Sequence, residues 1–363
     1  MPSGLDFVVA RDDLRRTRFA PAQQPDNSDL RRGEVLLQIE RFGFSVNNIT
    51  YATLGEAMRY WQFFPAPEGW GRVPVWGYAA VAASAHDELQ VGERVFGYLP
   101  MSTHLLVMAD RVNAGRFLDA APHRADLPAV YQRYPRLGMR NDDPRSEDLQ
   151  ALWRPLFMTS FGAADFLADD GAFGAERIVV SSASSKTAMG IAFLLARGHE
   201  GIGVVGLTSP GHVPFAEHTG YYDCVIAYDD LHELPPDAPL VFVDVAGDDR
   251  LLSELRRLAG DGLRRNVVVG ATHWQQRAVS TSLGDGDAEL FFLPPWMEKR
   301  RREWGSGEFA RRYDEAWSAF LPTVDRWMQI HHYSGRDDVE AAYRRTLDGD
   351  VDPAVGQILS LRD

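Results

Sequence analysis

The sequence predicts an α/β protein in which a doubly wound parallel sheet is joined to a smaller, mostly antiparallel β domain. Three observations carry this. At 363 residues the chain is long for one hydrophobic core and comfortable for two domains. From Arg177 to Ala271, apolar strand cores alternate with helical segments, the pattern of helices flanking a parallel sheet. From Glu34 to Val112, short alternating runs are broken by Gly, Pro and Asn, the pattern of a small barrel or sandwich.

In chain order, the first region contains EVLLQIERFGF, VPVWGYAAVAASA, VGERVFGYLP and THLLVMADRV, each short enough for one strand. Gly115 to Gln150 is polar and fits neither template, so it is expected to be an excursion with a short helix. RIVVSS, GVVGLTS, CVIAY, LVFVDV and NVVVGAT are the expected parallel strands. After the first of them, Ala188, Ile191, Ala192 and Leu195 recur at helical spacing, and Gly198 stands where a helix C-cap is expected. Phe291 to Met328 opens with FFLPPW and continues with Phe309, Tyr313, Ala316, Trp317 and Phe320 at helical intervals, predicting one amphipathic helix over an apolar surface.

A quarter of the residues are charged and 45% are hydrophobic, the balance of a globular protein. The net charge of -13 argues against nucleic acid or anionic lipid as a partner. The basic run Lys299 to Arg302 then reads as a solvated helix face. Val75 to Ala85, the longest weakly polar run, is far short of the roughly 20 residues that span a bilayer. The N-terminal stretch carries Asp6 and lacks a signal-peptide core, so a cytoplasmic location is expected. Cys224 is the single cysteine, which excludes an intrachain disulfide and any thiolate-rich zinc site.

Between the strand RIVVSS and its helix, a turn runs Ser182, Ala183, Ser184, Ser185, Lys186, Thr187. Strand, tight turn and helix in this order present backbone amides and a helix N-terminus to an anion. Glycine ordinarily builds such a turn; here small hydroxyl residues and one lysine replace it, at the cost that Ser and Ala tolerate positive φ poorly. The competing reading is an ordinary connection with a serine N-cap. The end of the second strand favours a nucleotide: Thr208, Ser209 and His212 stand where selection of an unphosphorylated nicotinamide cofactor calls for an acid. Neutral donors there admit a 2′-phosphate, balanced by His212 or Lys186, so NADPH (NADP) is the expected cofactor. Asp244 and Gly247 at the end of the fourth strand, and Gly270 after the fifth, lie at the edge where open sheets bind ligands. The aromatics Tyr60, Trp61, Phe63, Phe64 and Trp70 crowd one loop, as a pocket lining or as core.

In the order of these elements the chain resembles the medium-chain dehydrogenase/reductase superfamily, in particular its zinc-independent quinone and enoyl reductase branch. GEVLLQIERFGFSVNNITYATLG is similar to the first barrel hairpin and the loop after it, and LFMTSFGAADFLADDGAFGAERIVVSS to the helix entering the cofactor domain. GRDDVEAAYRRTLDGDVDPAVGQILSL is similar to the closing helix and last barrel strand. The texture also resembles the DUF2855 family of unknown function.

The resemblance implies a Rossmann-type domain over 156–324 and a GroES-like β-barrel domain over 1–155, completed by 325–363 at the C-terminus. It implies an oxidoreductase that transfers hydride from NADPH to a conjugated carbonyl, enoyl or quinone substrate, with a homodimer expected. A protein that binds NADPH without turnover, as a sensor or assembly component, is the alternative. Asn47 matches the asparagine of the zinc-free branch, although with Asn48 it can equally close a turn. Tyr51 offers a phenol one position from the family's tyrosine. Thr159 matches a threonine that approaches the nicotinamide, and Tyr228 a residue near the adenosine end. The Gly-His-Glu segment of the zinc alcohol dehydrogenases has become VPVWGYAAV, and His331 and His332 are adjacent, so no catalytic metal is expected.

Overall fold

In a computed structural model, which describes residues 4–22, 25, 27–139, 143–198, 201–236, 238–269 and 288–362, the chain forms two compact units. One holds Met1–Leu152 together with Gln329–Asp363, the other Trp153–Met328.

The first unit begins with β1 (Leu5–Ala10), β2 (Thr17–Pro21), β3 (Glu34–Phe44), helix α1 (Val46–Thr53), β4 (Trp70–Arg72), β5 (Pro74–Ser84), β6 (Arg94–Pro100), β7 (His104–Asn113), β8 (Arg116–Asp119) and β9 (Arg133–Gly138). Strand β3 pairs with β5, β5 with β6, β6 with β9, β9 with β8, β8 with β7, and β7 again with β3, every pair antiparallel. The ring therefore closes into a six-stranded barrel, which removes its sheet edges. At Gly77 a Cβ would stand 2.3 Å from the carbonyl oxygen of Arg41 on the neighbouring strand, so only glycine permits this pairing distance.

Two barrel strands come from Gly115 to Gln150, which corrects the expectation of an excursion there. Pro135 within β9 and the four-residue length of β8 hide the strand pattern. What fixes them is burial: Phe117 and Tyr134 are both fully buried, and their rings stack at 5.1 Å. Of the crowded aromatics, Trp61, Phe63 and Phe64 are core residues, while Trp70 is half-buried beneath the guanidinium of Arg18.

The second unit carries most of helix α2 (Pro144–Asp169), then β10 (Arg177–Val180), α3 (Lys186–Gly198), β11 (Gly203–Thr208), α4 (Val213–Thr219), β12 (Cys224–Ala227), β13 (Leu240–Asp244), α5 (Asp249–Ala259), β14 (Leu263–Val268), β15 (Ala288–Leu290), α6 (Leu293–Trp304) and α7 (Ser306–Asp325). Its strands lie in the order β12, β11, β10, β13, β14, β15, all parallel. The order reverses between β10 and β13, the switch point where such sheets bind ligands. Ala188, Ile191, Ala192 and Leu195 are buried, as their spacing requires. The single helix expected over Phe291 to Met328 is two, because Gly305 adopts φ +82° between them; Phe309, Tyr313, Trp317 and Phe320 are the buried face of the second. Nor is the basic run wholly solvated: Arg300 is buried, bonded to Asp165, Asp169 and Glu303.

The chain returns to the first unit with β16 (Gln329–Ser334), α8 (Gly335–Leu347) and β17 (Val355–Ser360). Strand β17 joins β3 antiparallel and β16 parallel, extending the barrel sheet with the C-terminus. A buried ion cluster pins the start of α2 to this unit. Arg94 bonds Glu147 at 2.7 Å, Arg41 bonds Asp148 at 2.8 Å, and His332 reaches the other oxygen of Asp148 at 2.7 Å. Both carboxylates are nearly inaccessible, and Glu147 is shared by Arg94 and Arg41, so loss of both arginines would strand its buried charge. If β8 and β9 close the barrel as described, Phe117→Ala should lower unfolding stability by roughly 3–5 kcal/mol in chemical denaturation; a loss of under about 1 kcal/mol would place Phe117 outside the core.

Candidate functional site

The turn between β10 and α3 is held from below by side chains that the sequence reading did not single out. Ser181, fully buried at the end of β10, accepts from the N–H groups of Val245 and Ala246, both at 2.9 Å, and its hydroxyl donates to Asp244. Asp244 also accepts from the Gly247 N–H at 2.7 Å. Asp244 and Gly247 thus lock the carboxyl ends of β10 and β13 together, and Gly247 adopts φ +74° to make that turn.

The next residue, Ser182, takes φ +53°, the left-handed conformation that glycine would accept without strain. Its N–H donates to the Tyr228 hydroxyl at 2.9 Å, and burial raises the pKa of that phenol. Ala183 is fully buried; its N–H donates to the Leu207 carbonyl and its own carbonyl accepts from Tyr222. A Cβ on Gly206 of β11 would stand 2.8 Å from that of Ala183, and one on Gly190 of α3 would stand 2.5 Å from the Ser160 hydroxyl. Glycine is therefore used beside the turn rather than within it.

Above this base lie the polar groups. The Ser184 hydroxyl is 3.1 Å from His212 Nδ1 and 3.4 Å from the Thr208 hydroxyl, which brings three predicted residues together. The Ser185 hydroxyl accepts from the Ala188 N–H at 3.3 Å, a local N-terminal cap. Ser160 donates to the Thr187 carbonyl at 2.8 Å, whereas its predicted neighbour Thr159 is half-buried in α2. Ser209 is half-buried at the start of the short turn that carries His212. The N–H groups of Ser184, Lys186 and Thr187 have no acceptor among the described residues, as expected where a helix begins. Lys186 has no carboxylate partner among them either. Its ammonium lies 5.5 Å from the Trp153 ring centre, and burial lowers its pKa to about 8. Gly270 lies outside the described residues.

In the first unit, α1 separates the two asparagines. Asn48 is the structural one: buried, it accepts from the Ser45 N–H at 2.8 Å and donates to the Pro74 carbonyl at 2.9 Å. Asn47 precedes Tyr51 by one helical turn on the same face of α1, and its amide works against the burial of that phenol. Tyr51 is 8% exposed, accepts from the Trp76 indole N–H at 3.4 Å, and has its pKa pushed up to about 12 by burial. Among the described residues no group of three or more His, Cys, Asp or Glu is arranged to hold a metal ion, and no helix is long and apolar enough to cross a membrane.

The closed antiparallel barrel, completed by the C-terminus, and the six-stranded parallel sheet are a fold shared with solved structures of low sequence identity. A crystal structure of CurA from Vibrio vulnificus superposes with a TM-score of 0.65 at 17% identity, covering 99% of each chain; that of CurA in complex with NADPH gives 0.65 at 16%, with the same coverage. A putative NADPH:quinone reductase from Bacillus thuringiensis superposes with a TM-score of 0.55 at 13% identity, again over 99% of each chain. The chain belongs to the family described as protein of unknown function (DUF2855), whose model matches residues 42–352. No curated protein sequence matches it.

The strain at Ser182 is testable. Ser182→Gly should leave stability unchanged or raise it by up to about 1 kcal/mol, because relief at positive φ offsets the added freedom of the unfolded chain; a loss of more than about 1 kcal/mol in thermal or urea unfolding would count against a left-handed Ser182.

Proposed function

We propose that the protein is an NADPH-dependent oxidoreductase that reduces a conjugated carbonyl, enoyl or quinone substrate. The observation that carries this reading is the turn before α3, where, among the described residues, three N–H groups lack an acceptor and a half-buried lysine lacks a counter-charge. Unsatisfied donors of one sign at a helix start fit a diphosphate. The second support is the end of β11, where Thr208, Ser209 and His212 offer donors and the segment carries no carboxylate.

On this reading Ser184, Lys186 and Thr187 hold the pyrophosphate through backbone N–H groups. Ser209 and His212 receive the 2′-phosphate. Bound NADPH supplies a hydride to the substrate. Asn47 and Tyr51 serve the substrate, with Tyr51 protonated throughout the neutral range because burial disfavours its phenolate.

Lys186 gives the reading a pH signature. In the free protein its pKa is lowered from 10.5 to about 8, and a neighbouring phosphate would raise it again. NADPH binding should therefore take up protons above pH 8, and affinity should fall as pH rises through that range. Calorimetry in buffers of different ionisation enthalpy reads the uptake directly. Lys186→Met should abolish it and weaken binding by about tenfold, the scale of one charge-assisted contact. Binding with no proton uptake would remove Lys186 from the site, and no binding of either nicotinamide nucleotide would end the dinucleotide reading. Tight binding with no oxidation of NADPH by enones or quinones would instead favour a nucleotide sensor.

A further inference from the structure

Trp76 lies in VPVWGYAAV, the segment standing where zinc alcohol dehydrogenases carry Gly-His-Glu. It is on β5 opposite Tyr98 of β6, and its ring is fixed by stacking on Phe96 at 6.0 Å and packing on Tyr98 at 5.1 Å. An indole nitrogen can only donate, so the bond to the Tyr51 hydroxyl occupies one lone pair of that oxygen. Asn47 precedes Tyr51 by four residues on α1, on the same helical face, and acts with Trp76 to favour the ionised phenol. A phenol has one proton to give and two acceptor positions. With the Trp76 N–H on one of those positions, the Tyr51 proton is directed to a different group.

The geometry points to Trp76 as a positioning residue that, with Asn47, aims the Tyr51 proton at the carbonyl oxygen of a neutral, planar conjugated ketone or quinone. The neutrality follows from the surroundings: the groups acting on the Tyr51 hydroxyl are Tyr60, Trp76 and Asn47, none of them cationic, and its ring meets those of Tyr60 and Tyr98. Among the described residues no cationic group acts on that hydroxyl, and the half-buried rings of Tyr60 and Trp76, rather than the fully buried Tyr98, are the aromatic faces open to a flat conjugated ring. The chemistry rests on the reductase reading above; the geometric test does not. Bound NADPH would supply a hydride to the β-carbon of the conjugated system and be left oxidised; the C=C pair would shift to the bond between the α and carbonyl carbons, and the carbonyl pair would move to oxygen. That oxygen would take the Tyr51 proton, giving an enol, which for a quinone tautomerises to the hydroquinone. The phenolate, held by the Trp76 N–H, would recover a proton from water.

The test uses the full chain labelled with ¹³C at tyrosine Cζ, without nucleotide. The Tyr51 signal is assigned by its loss in Tyr51→Phe. Trp76→Phe should shift it, and Trp76→His, which retains a ring N–H, should return it part way. Should either variant fail to melt cooperatively, replacing the indole by benzothiophene, an isostere lacking the N–H, makes the same comparison. With NADPH and a naphthoquinone or an aryl enone, Trp76→Phe should lower kcat by about tenfold and leave KM within about twofold, the pattern of an interaction made in the transition state. An unmoved Tyr51 signal in the folded variant overturns the positioning role. So does a preference of the wild-type protein for anionic acyl substrates over neutral ketones. Failure of the wild-type protein to bind NADPH would instead refute the dinucleotide reading, while the Cζ signal would still decide the Trp76 geometry.

Discussion

A helix that begins inside a protein leaves its first N–H groups without partners, and the structure must supply an acceptor or hold one from outside. At the start of α3 the chain supplies a cap for Ala188 through Ser185 and leaves Ser184, Lys186 and Thr187 open. It then holds the half-buried Lys186 side chain beside them in sequence, with no carboxylate partner among the described residues and at enough desolvation cost to lower its pKa. The surrounding hydrogen bonds, from Ser181 and Tyr228 below to Ser160 behind, keep the turn in a conformation that leaves them open.

This arrangement also explains why the turn manages without glycine. Glycine's value lies in close approach and in access to positive φ. Here close approach is provided by Gly206 on β11 and Gly190 on α3, which make room for Ala183 and Ser160. The positive φ is accepted by Ser182, whose N–H is fixed by the Tyr228 hydroxyl. A motif that counts glycines within the turn misses both compensations, because they sit on neighbouring elements.

The parallel sheet was legible because its strands are buried on both faces and read as unbroken apolar runs, and its first helix because Ala188, Ile191, Ala192 and Leu195 repeat at the helical period. Strands β8 and β9 were not, since a four-residue strand and one containing proline carry almost no period. Within the site, residue type pointed to the turn and to the cluster of Ser184, Thr208 and His212. It did not reveal Ser160, Ser181 or Tyr222, whose importance depends on partners far away in sequence; the one available signal was a serine directly ending a buried strand. Nor did it separate Asn47 from Asn48. Only packing shows that Asn48 turns inward to Ser45 and Pro74 while Asn47 stays half-buried, one helical turn before Tyr51.

The most direct test is amide NMR of the ¹⁵N-labelled protein titrated with NADPH. The account predicts that the N–H signals of Ser184, Lys186 and Thr187 move the most and become protected from solvent exchange, while those of Ala183, already bonded to the Leu207 carbonyl of β11, and Ser185, already bonded to Ser182, move less. Saturable binding that leaves these three amides unshifted would contradict it.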